Sequence, residues 1–302
     1  MILATRVFRR GVILVALTGL LAQSRLPAQS SPVVAAPQES RPLLSGAETF
    51  CYREGAPERM QLFVFKPVGW SERDRRPALV FFFGGGWTHG TPERAAAWAK
   101  YAASIGLVGI VPDYRTKERF DTSPLEAVAD GRAALHWVEE HATELGVARH
   151  LIIVGGTSSG GHVALWTALG STPPGSVPRE APTAKPAALI LFSAVSDTSV
   201  ATGYTPFRFG ENSTALSPLH QLDARMPPVL AFHGNADRTV PCRQAVALRD
   251  KLTAEGNLCE LVIVPGGDHE FLRDLPGWTE RAQKIIAAFL EKQGLLAPGA
   301  KR

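Results

Sequence analysis

The chain has 302 residues, of which 45% are hydrophobic and 20% are charged, and this balance is ordinary for a globular protein with a sizeable core. Its formal net charge is +4, but four arginines and no acidic residue lie within the first 28 positions. Without that stretch the net charge is near zero. The charge therefore gives no reason to expect binding to nucleic acid or to an anionic membrane.

The first 28 residues have the pattern of a secretory signal peptide. Arg6, Arg9 and Arg10 form a positive segment, residues 11–21 form an apolar run, and small residues follow at Ala22, Ser24 and Ala28. The alternative is a membrane anchor, but this run is short of the roughly 20 residues needed to span a bilayer. We expect cleavage, no stable membrane insertion afterwards, and a secreted or periplasmic protein. The arginine pair leaves export by the general or the twin-arginine route open.

Three cysteines, Cys51, Cys242 and Cys259, could pair in an exported protein. Cys242 lies at the start of a predicted helix and Cys259 at the start of the following strand. These two starts lie at opposite ends of a helix–strand unit, too far apart for a disulfide. We expect unpaired thiols.

The remaining chain reads as one domain of the α/β class. Residues 29–47 are rich in Pro, Ser, Ala and Gln and predict a disordered leader. Segments 49–52 and 61–65 then predict an antiparallel hairpin. Six continuous apolar runs, typical of buried parallel strands, follow at residues 78–83, 107–111, 151–154, 187–192, 229–232 and 261–264.

Helical segments separate these runs, so right-handed crossovers should build a mostly parallel sheet with a ligand site at the carboxyl ends of its strands. Residues 194–224 lack a clear helix and predict a short cap insertion. We place the catalytic domain at 48–294 and a disordered tail at 295–302.

The central motif is Gly156-Thr157-Ser158-Ser159-Gly160, between a predicted strand and a predicted helix. A serine nucleophile on a sharp strand-to-helix turn needs this context, and small neighbours permit the close backbone approach. The alternative is a glycine-rich structural turn whose serine has no catalytic role. A phosphate-binding loop is disfavoured because no lysine follows the glycines and no Gly-x-Gly-x-x-Gly register exists.

A second motif, the glycine triplet 84–86 followed by Trp87, ends the first long apolar run. Consecutive glycines expose backbone N–H groups that can face a developing oxyanion. Ser159 would donate a further N–H from the start of the helix that follows Ser158. A flexible surface loop is the alternative interpretation.

The acid and the base are expected on later loops of the same sheet edge. Asp237 follows the run 229–232, and His269 follows the run 261–264, which completes the chain order Ser, Asp, His. The rival acids, Asp197 and Asp223, fall in or beside the irregular interval. Ser158 would attack an acyl carbon, His269 would take its proton, and Asp237 would fix the imidazole tautomer. No metal-binding cluster is apparent, and this chemistry needs no cofactor.

Together these motifs resemble the α/β-hydrolase superfamily, in particular bacterial esterases of the hormone-sensitive-lipase type and acetyl-xylan and feruloyl esterases. The resemblance runs from about residue 49 to 290. It implies an oxyanion hole formed by Gly85, Gly86 and Ser159. The chain departs from the hormone-sensitive-lipase pattern where Phe83 replaces the histidine before the glycine triplet, and where Ser159 replaces a small alanine.

Hydrolysis of carboxylic esters is the leading hypothesis, on small-molecule or polysaccharide-linked substrates such as acetyl or feruloyl esters. The alternatives are a serine peptidase of the prolyl-oligopeptidase type and a non-catalytic binding protein of the same fold. The interval 194–224 is short and polar for a lipase lid, which favours short acyl groups. Aromatic residues expected near the substrate are Trp87, Tyr204, Phe207 and Phe209. The sequence leaves the oligomeric state open.

Overall fold

The computed structural model describes residues 42–53, 60–174 and 182–297. The predicted signal peptide, the leader up to residue 41 and the last five residues of the predicted tail lie outside the described residues. None of the helices in the described ranges is long and apolar enough to cross a membrane.

Eight strands form one sheet in the described part of the chain. Their bounds are β1 Glu48–Arg53, β2 Met60–Phe65, β3 Arg76–Phe82, β4 Val108–Pro112, β5 Val147–Thr157, β6 Ala188–Phe192, β7 Val229–Gly234 and β8 Cys259–Val264. The order across the sheet is β1-β2-β4-β3-β5-β6-β7-β8. The first two strands pair antiparallel with their neighbours, and the remaining pairs are parallel.

The helices cover both faces of this sheet. They are α1 Ala96–Ser104, α2 Lys117–Phe120, α3 Pro124–Glu140, α4 Ser159–Ala168, α5 Pro218–Gln221, α6 Arg243–Ala254, α7 Phe271–Asp274 and α8 Trp278–Lys292. The start of α3 follows its sequence signal: Ser123 accepts from the Leu125 amide, and Glu126 bonds back to the Ser123 amide. The expected α/β-hydrolase architecture, with its N-terminal antiparallel hairpin, is confirmed.

The order of the strands defines where a ligand site belongs. The chain runs from β3 outward to β4 and then returns to the other side of β3 as β5. At such a switch point the loops after two neighbouring parallel strands diverge and leave a crevice. The glycine triplet follows β3 and Ser158 follows β5, so both predicted motifs lie at this crevice.

The core extends beyond both predicted domain boundaries. Leu44, within a short 3₁₀ turn (Pro42–Leu44), is buried, as are Leu295 and Leu296 after α8. Residues on both sides of the predicted boundaries at 48 and 294 thus pack in the same core. These leucines lie outside any periodic pattern, so hydrophobic periodicity could not reveal their burial.

The interval 194–224 folds as predicted, without a helix of ordinary length. It contains two 3₁₀ turns (Pro206–Arg208 and Gly210–Asn212) and the four-residue α5. Hydrogen bonds nevertheless order it: the buried Asp197 accepts from the Ser199 amide and from the hydroxyl of Ser217. We call residues 194–224 the cap segment.

Candidate active site

Ser158 occupies the turn between β5 and α4 with a positive φ, at φ 56° and ψ −120°, which side-chain-bearing residues rarely adopt. Such a conformation costs a non-glycine residue about 1–3 kcal/mol and persists only where the surroundings impose it. Here the Ser158 amide donates to the Phe192 carbonyl at 2.8 Å, and the Ser158 carbonyl accepts from the Val195 amide at 3.2 Å. Phe192 ends β6 and Val195 lies three residues beyond it, so this strand and the loop after it hold the turn.

Close backbone packing explains the glycines around this serine. A Cβ at Gly160 would overlap the carbonyl oxygens of Phe82 and Phe83 at the end of β3. A Cβ at Gly156 would overlap the Gly160 carbonyl group. The helix therefore starts in direct contact with the neighbouring strand, which brings the loop after β3 against Ser158.

The structure brings Ser158, His269 and Asp237 into one hydrogen-bonded series. The His269 Nε2 atom lies 3.0 Å from the Ser158 Oγ, and the His269 Nδ1 atom lies 2.8 Å from the Asp237 Oδ2. Ser158 and Asp237 are buried, and the His269 side chain is largely so. A serine hydroxyl, an imidazole and a carboxylate in this order can transfer the hydroxyl proton as the oxygen attacks an electrophile.

The Asp237 carboxylate is held in its charged form by its neighbours. Its Oδ1 accepts from the amides of Thr239 and Val240, each at 2.8 Å. Burial alone would raise the pKa of Asp237, but hydrogen bonds from His233 and His269 outweigh it and hold the pKa well below its usual range. The carboxylate is thus available to stabilise an imidazolium at His269.

Sequence reasoning missed the contribution of His233. Its Nε2 lies 2.8 Å from the Val240 carbonyl oxygen and 3.2 Å from the Asp237 Oδ2. Both neighbours are acceptors, so this nitrogen carries a proton. The spacing of four residues between His233 and Asp237, on a strand end followed by a tight turn, is the signal that could have revealed the contact.

The glycine loop after β3 is ordered and faces the same cavity as Ser158. The Gly85 carbonyl accepts from the amides of Thr88 and His89, each at 3.1 Å. Gly85 and Gly86 have φ values of 152° and 61°, and a Cβ at Gly85 would overlap the His89 backbone. In the described part of the chain, the amides of Gly85 and Gly86 donate no hydrogen bond.

Ser159 is the first residue of α4, where backbone N–H groups have no intrahelical acceptor. The expected donors thus lie on two sides of Ser158: Gly85 and Gly86 on the loop after β3, and Ser159 at the start of α4. Phe83, where the resembled family has histidine, stacks on Tyr114 with ring centroids 4.0 Å apart. The Tyr114 hydroxyl donates to the Phe83 carbonyl at 2.7 Å, which anchors the base of the glycine loop.

The cavity above Ser158 has a volume of about 750 Å³. Described residues that line it come from the glycine loop, α1, the cap segment and the segment after β8, among them Gly85, Trp98, Tyr204, Arg208 and Leu272. Its walls combine apolar and charged side chains.

The four aromatic residues expected at the substrate have different positions. Tyr204 lines the cavity, whereas Trp87 is 1% exposed and packs against His162 and Phe209, with ring centroids 5.1 and 4.9 Å apart. Phe207 is 79% exposed and is not among the described cavity-lining residues. The structure therefore places Tyr204 at the cavity, and Trp87, Phe207 and Phe209 are not among the described residues that line it. The Trp87 indole and the Phe209 ring are buried in the core, whereas the Phe207 ring is exposed to solvent.

Comparisons with known proteins agree with this geometry. A sequence profile of the α/β hydrolase fold matches residues 79–208. A probable carboxylic ester hydrolase, LipM of Mycobacterium tuberculosis, is 28% identical over 194 residues, which are 58% of this chain and 44% of LipM. Esterase LipQ of the same organism is 28% identical over 243 residues, which are 74% of this chain and 56% of LipQ. The chain spans about half the length of these curated relatives.

Among solved structures, the native Est2 esterase of the planctomycete Thermogutta terrifontis is 32% identical, with a TM-score of 0.78. The match covers 85% of this chain and 96% of Est2. The chain therefore belongs to the α/β-hydrolase family. Its relatives there are esterases, and the expected resemblance to them is confirmed.

Proposed function

We propose that this protein hydrolyses carboxylic esters through an acyl-enzyme on Ser158. The observation that carries the proposal is the series Ser158–His269–Asp237, with contacts of 3.0 and 2.8 Å, at the wall of a cavity. The esterase identity of the relatives supports the same reaction class.

The reaction follows from the atoms in place. Ser158 Oγ bonds to the acyl carbon while His269 Nε2 takes its proton, and the carbonyl oxygen gains negative charge facing the amides of Gly85, Gly86 and Ser159. Return of the proton to the alcohol oxygen releases the alcohol and leaves the acyl group on Ser158. Water then attacks with the same proton acceptor, which frees the acid and restores the serine.

We further propose a preference for short acyl groups. Est2 has been solved with propionate bound and with butyrate bound, and these two structures match this chain at 33% and 32% identity, respectively. The cavity of about 750 Å³ has charged walls, which do not suit a long apolar chain. We also propose export through the segment 1–28, so that polysaccharide-linked acetyl or feruloyl esters would be accessible.

A labelling experiment tests the nucleophile directly. Est2 has been solved phosphorylated by paraoxon. With this protein we expect paraoxon to add one diethylphosphoryl group, with release of 4-nitrophenolate, at the peptide containing Ser158. Ser158→Ala should remain unlabelled and inactive. Full labelling of Ser158→Ala would place the nucleophile elsewhere.

A substrate series tests the finer proposals. We expect kcat/KM for p-nitrophenyl esters to be highest between C2 and C4 and to fall towards C12, with acetate released from acetylated xylan. A maximum at C10 or C12 would contradict the short-acyl preference. Activity on the soluble esters without acetate release would discard the polysaccharide assignment and leave the esterase.

A further inference from the structure

The cavity above Ser158 carries an excess of positive charge. Arg94, Arg208 and Arg273 line it, whereas Glu270 is the carboxylate among the described lining residues. Arg273 is bonded to Asp274 at 2.8 Å. Neither Arg94 nor Arg208 has a carboxylate within salt-bridge distance in the described part of the chain. Two guanidinium groups therefore face the cavity with their charge uncompensated by a partner.

Arg208 is held in a fixed position beside the glycine loop. Its Nη1 atom donates to the Gly86 carbonyl at 2.7 Å, and its guanidinium lies 5.9 Å from the Phe207 ring centroid. A Cβ at Gly86 would lie 2.5 Å from the same nitrogen. The guanidinium is thus half-buried, restrained by a neutral acceptor and close to the proposed oxyanion donors.

A guanidinium has five N–H donors in a planar fork, and one neutral carbonyl leaves most of them available. Its restraint reduces the entropy lost when a ligand binds. A carboxylate matches the geometry of the fork and its charge, and charge-assisted hydrogen bonds of this kind are stronger than neutral ones. Arg94, exposed at the same cavity, adds attraction of the same sign.

We propose that the ester substrate carries a carboxylate and that Arg208, assisted by Arg94, binds it. This inference rests on the proposed esterase function and names its substrate class: an acidic ester. The carboxylate can belong to the acyl part, as in a half-ester of a dicarboxylic acid, or to the alcohol part, as in an ester on an acidic sugar. The chemistry of recognition is the same, and matched substrates distinguish the two.

The experiment compares two pairs of esters that differ in charge. For the acyl side, kcat/KM for monoethyl succinate is compared with that for ethyl 4-methylpentanoate. The two acyl groups differ in that a carboxylate in the first is replaced by an isopropyl group of similar shape in the second. For the alcohol side, 4-acetoxybenzoate is compared with its methyl ester. We expect the anionic member of at least one pair to have a kcat/KM about tenfold higher, mainly through KM. The advantage should shrink in 1 M salt, where charge is screened over about 3 Å.

Variants assign the effect to named side chains. Arg208→Met should reduce the anionic-to-neutral ratio of kcat/KM about tenfold, and Arg208→Lys should restore part of it, since a lysine keeps the charge but not the fork. Arg94→Met should reduce the ratio less. Arg249→Met is the matched control, because the Arg249 side chain on α6 is 40% exposed and Arg249 is not among the described cavity-lining residues.

The outcomes separate this proposal from the function on which it rests. If neutral and anionic esters are cleaved equally, and Ser158→Ala abolishes both, the esterase stands and the acidic substrate is wrong. If Arg208→Met lowers both members of a pair by the same factor, Arg208 acts through the Gly86 carbonyl and the carboxylate site is wrong. If no ester is cleaved and paraoxon does not label Ser158, both proposals fail.

Discussion

At the scale of single residues, strain and charge are concentrated where the proposed chemistry occurs. Ser158 adopts a positive φ that contacts with β6 and the loop after it impose, and its Oγ lies within hydrogen-bonding distance of a histidine 111 positions further along the chain. Asp237 is buried yet stays ionised because two histidines and two amides surround it. A structural serine or a solvated aspartate would need neither arrangement.

We expect Ser158→Ala and His269→Ala each to lower ester hydrolysis by about a thousandfold or more, because members of such a series act as a unit. The measurement is kcat/KM on a C2 or C4 p-nitrophenyl ester, with circular dichroism to confirm folding. Ser104→Ala and His150→Ala, which change exposed residues outside the site, should retain full activity. Near-normal turnover by a folded Ser158→Ala would refute the assignment.

At the scale of secondary-structure elements, sequence patterns predicted the strands well and their ends less well. The run predicted at 151–154 became β5, Val147–Thr157, because pairing with β3 extends beyond the apolar residues. The helix after Ser158 begins at Ser159, four residues before Val163, which is its first apolar residue. Its glycine-rich first turn carries no periodic signal, since contact with β3 and not amphipathicity determines where it starts.

Gly160 provides the test of that contact. Gly160→Ala would place a methyl group inside the van der Waals radii of the Phe82 and Phe83 carbonyl oxygens, so α4 must move away from β3. We expect the free energy of unfolding to fall by about 2–3 kcal/mol, and turnover to fall because Ser158 and the Ser159 amide shift with the helix.

The measurement is urea denaturation together with kcat. Gly170→Ala is the control: its Cβ would meet its nearest neighbours at 3.6 and 3.7 Å, an ordinary contact distance. A Gly160→Ala variant as stable as wild type would show that the close approach is not required.

At the scale of the whole molecule, the site joins segments that are remote in sequence. The loops after β3, β5, β7 and β8 bring the glycine triplet, Ser158, Asp237 and His269 to one edge of the sheet. Chain order and strand alternation were enough to nominate these residues. His233 and Arg208 were not foreseen because their contacts depend on how a tight turn and the irregular cap segment fold, and neither has a periodic pattern.

The cap segment is also hydrogen-bonded to α4 by a histidine whose protonation should matter for stability. His162 Nε2 and Trp166 Nε1 each lie 2.9 Å from the Leu216 carbonyl oxygen. The ring of His162 is fully buried beside Trp87, and its Nδ1 has no hydrogen-bond partner within the described residues. A positive charge at this position would lack compensation.

Burial accordingly lowers the pKa of His162 from 6.5 to about 4, which makes the folded state a weaker proton acceptor than the unfolded chain. Between these pH values the unfolded state binds more protons, so the free energy of unfolding must fall as the pH falls from 6.5 towards 4. From the size of the shift, this loss amounts to about 3 kcal/mol. We expect urea denaturation at pH 4, 5, 6 and 7 to show it.

His162→Gln supplies the comparison, since its amide can still donate to the Leu216 carbonyl but does not titrate in this range. The variant should be less stable than wild type at pH 7 because it fills the site less well, and the difference should narrow or reverse near pH 4. Parallel pH profiles for the two proteins would show that His162 is not the titrating group. The acid sensitivity of the fold would then have to come from the carboxylates, whose loss of charge acts at lower pH.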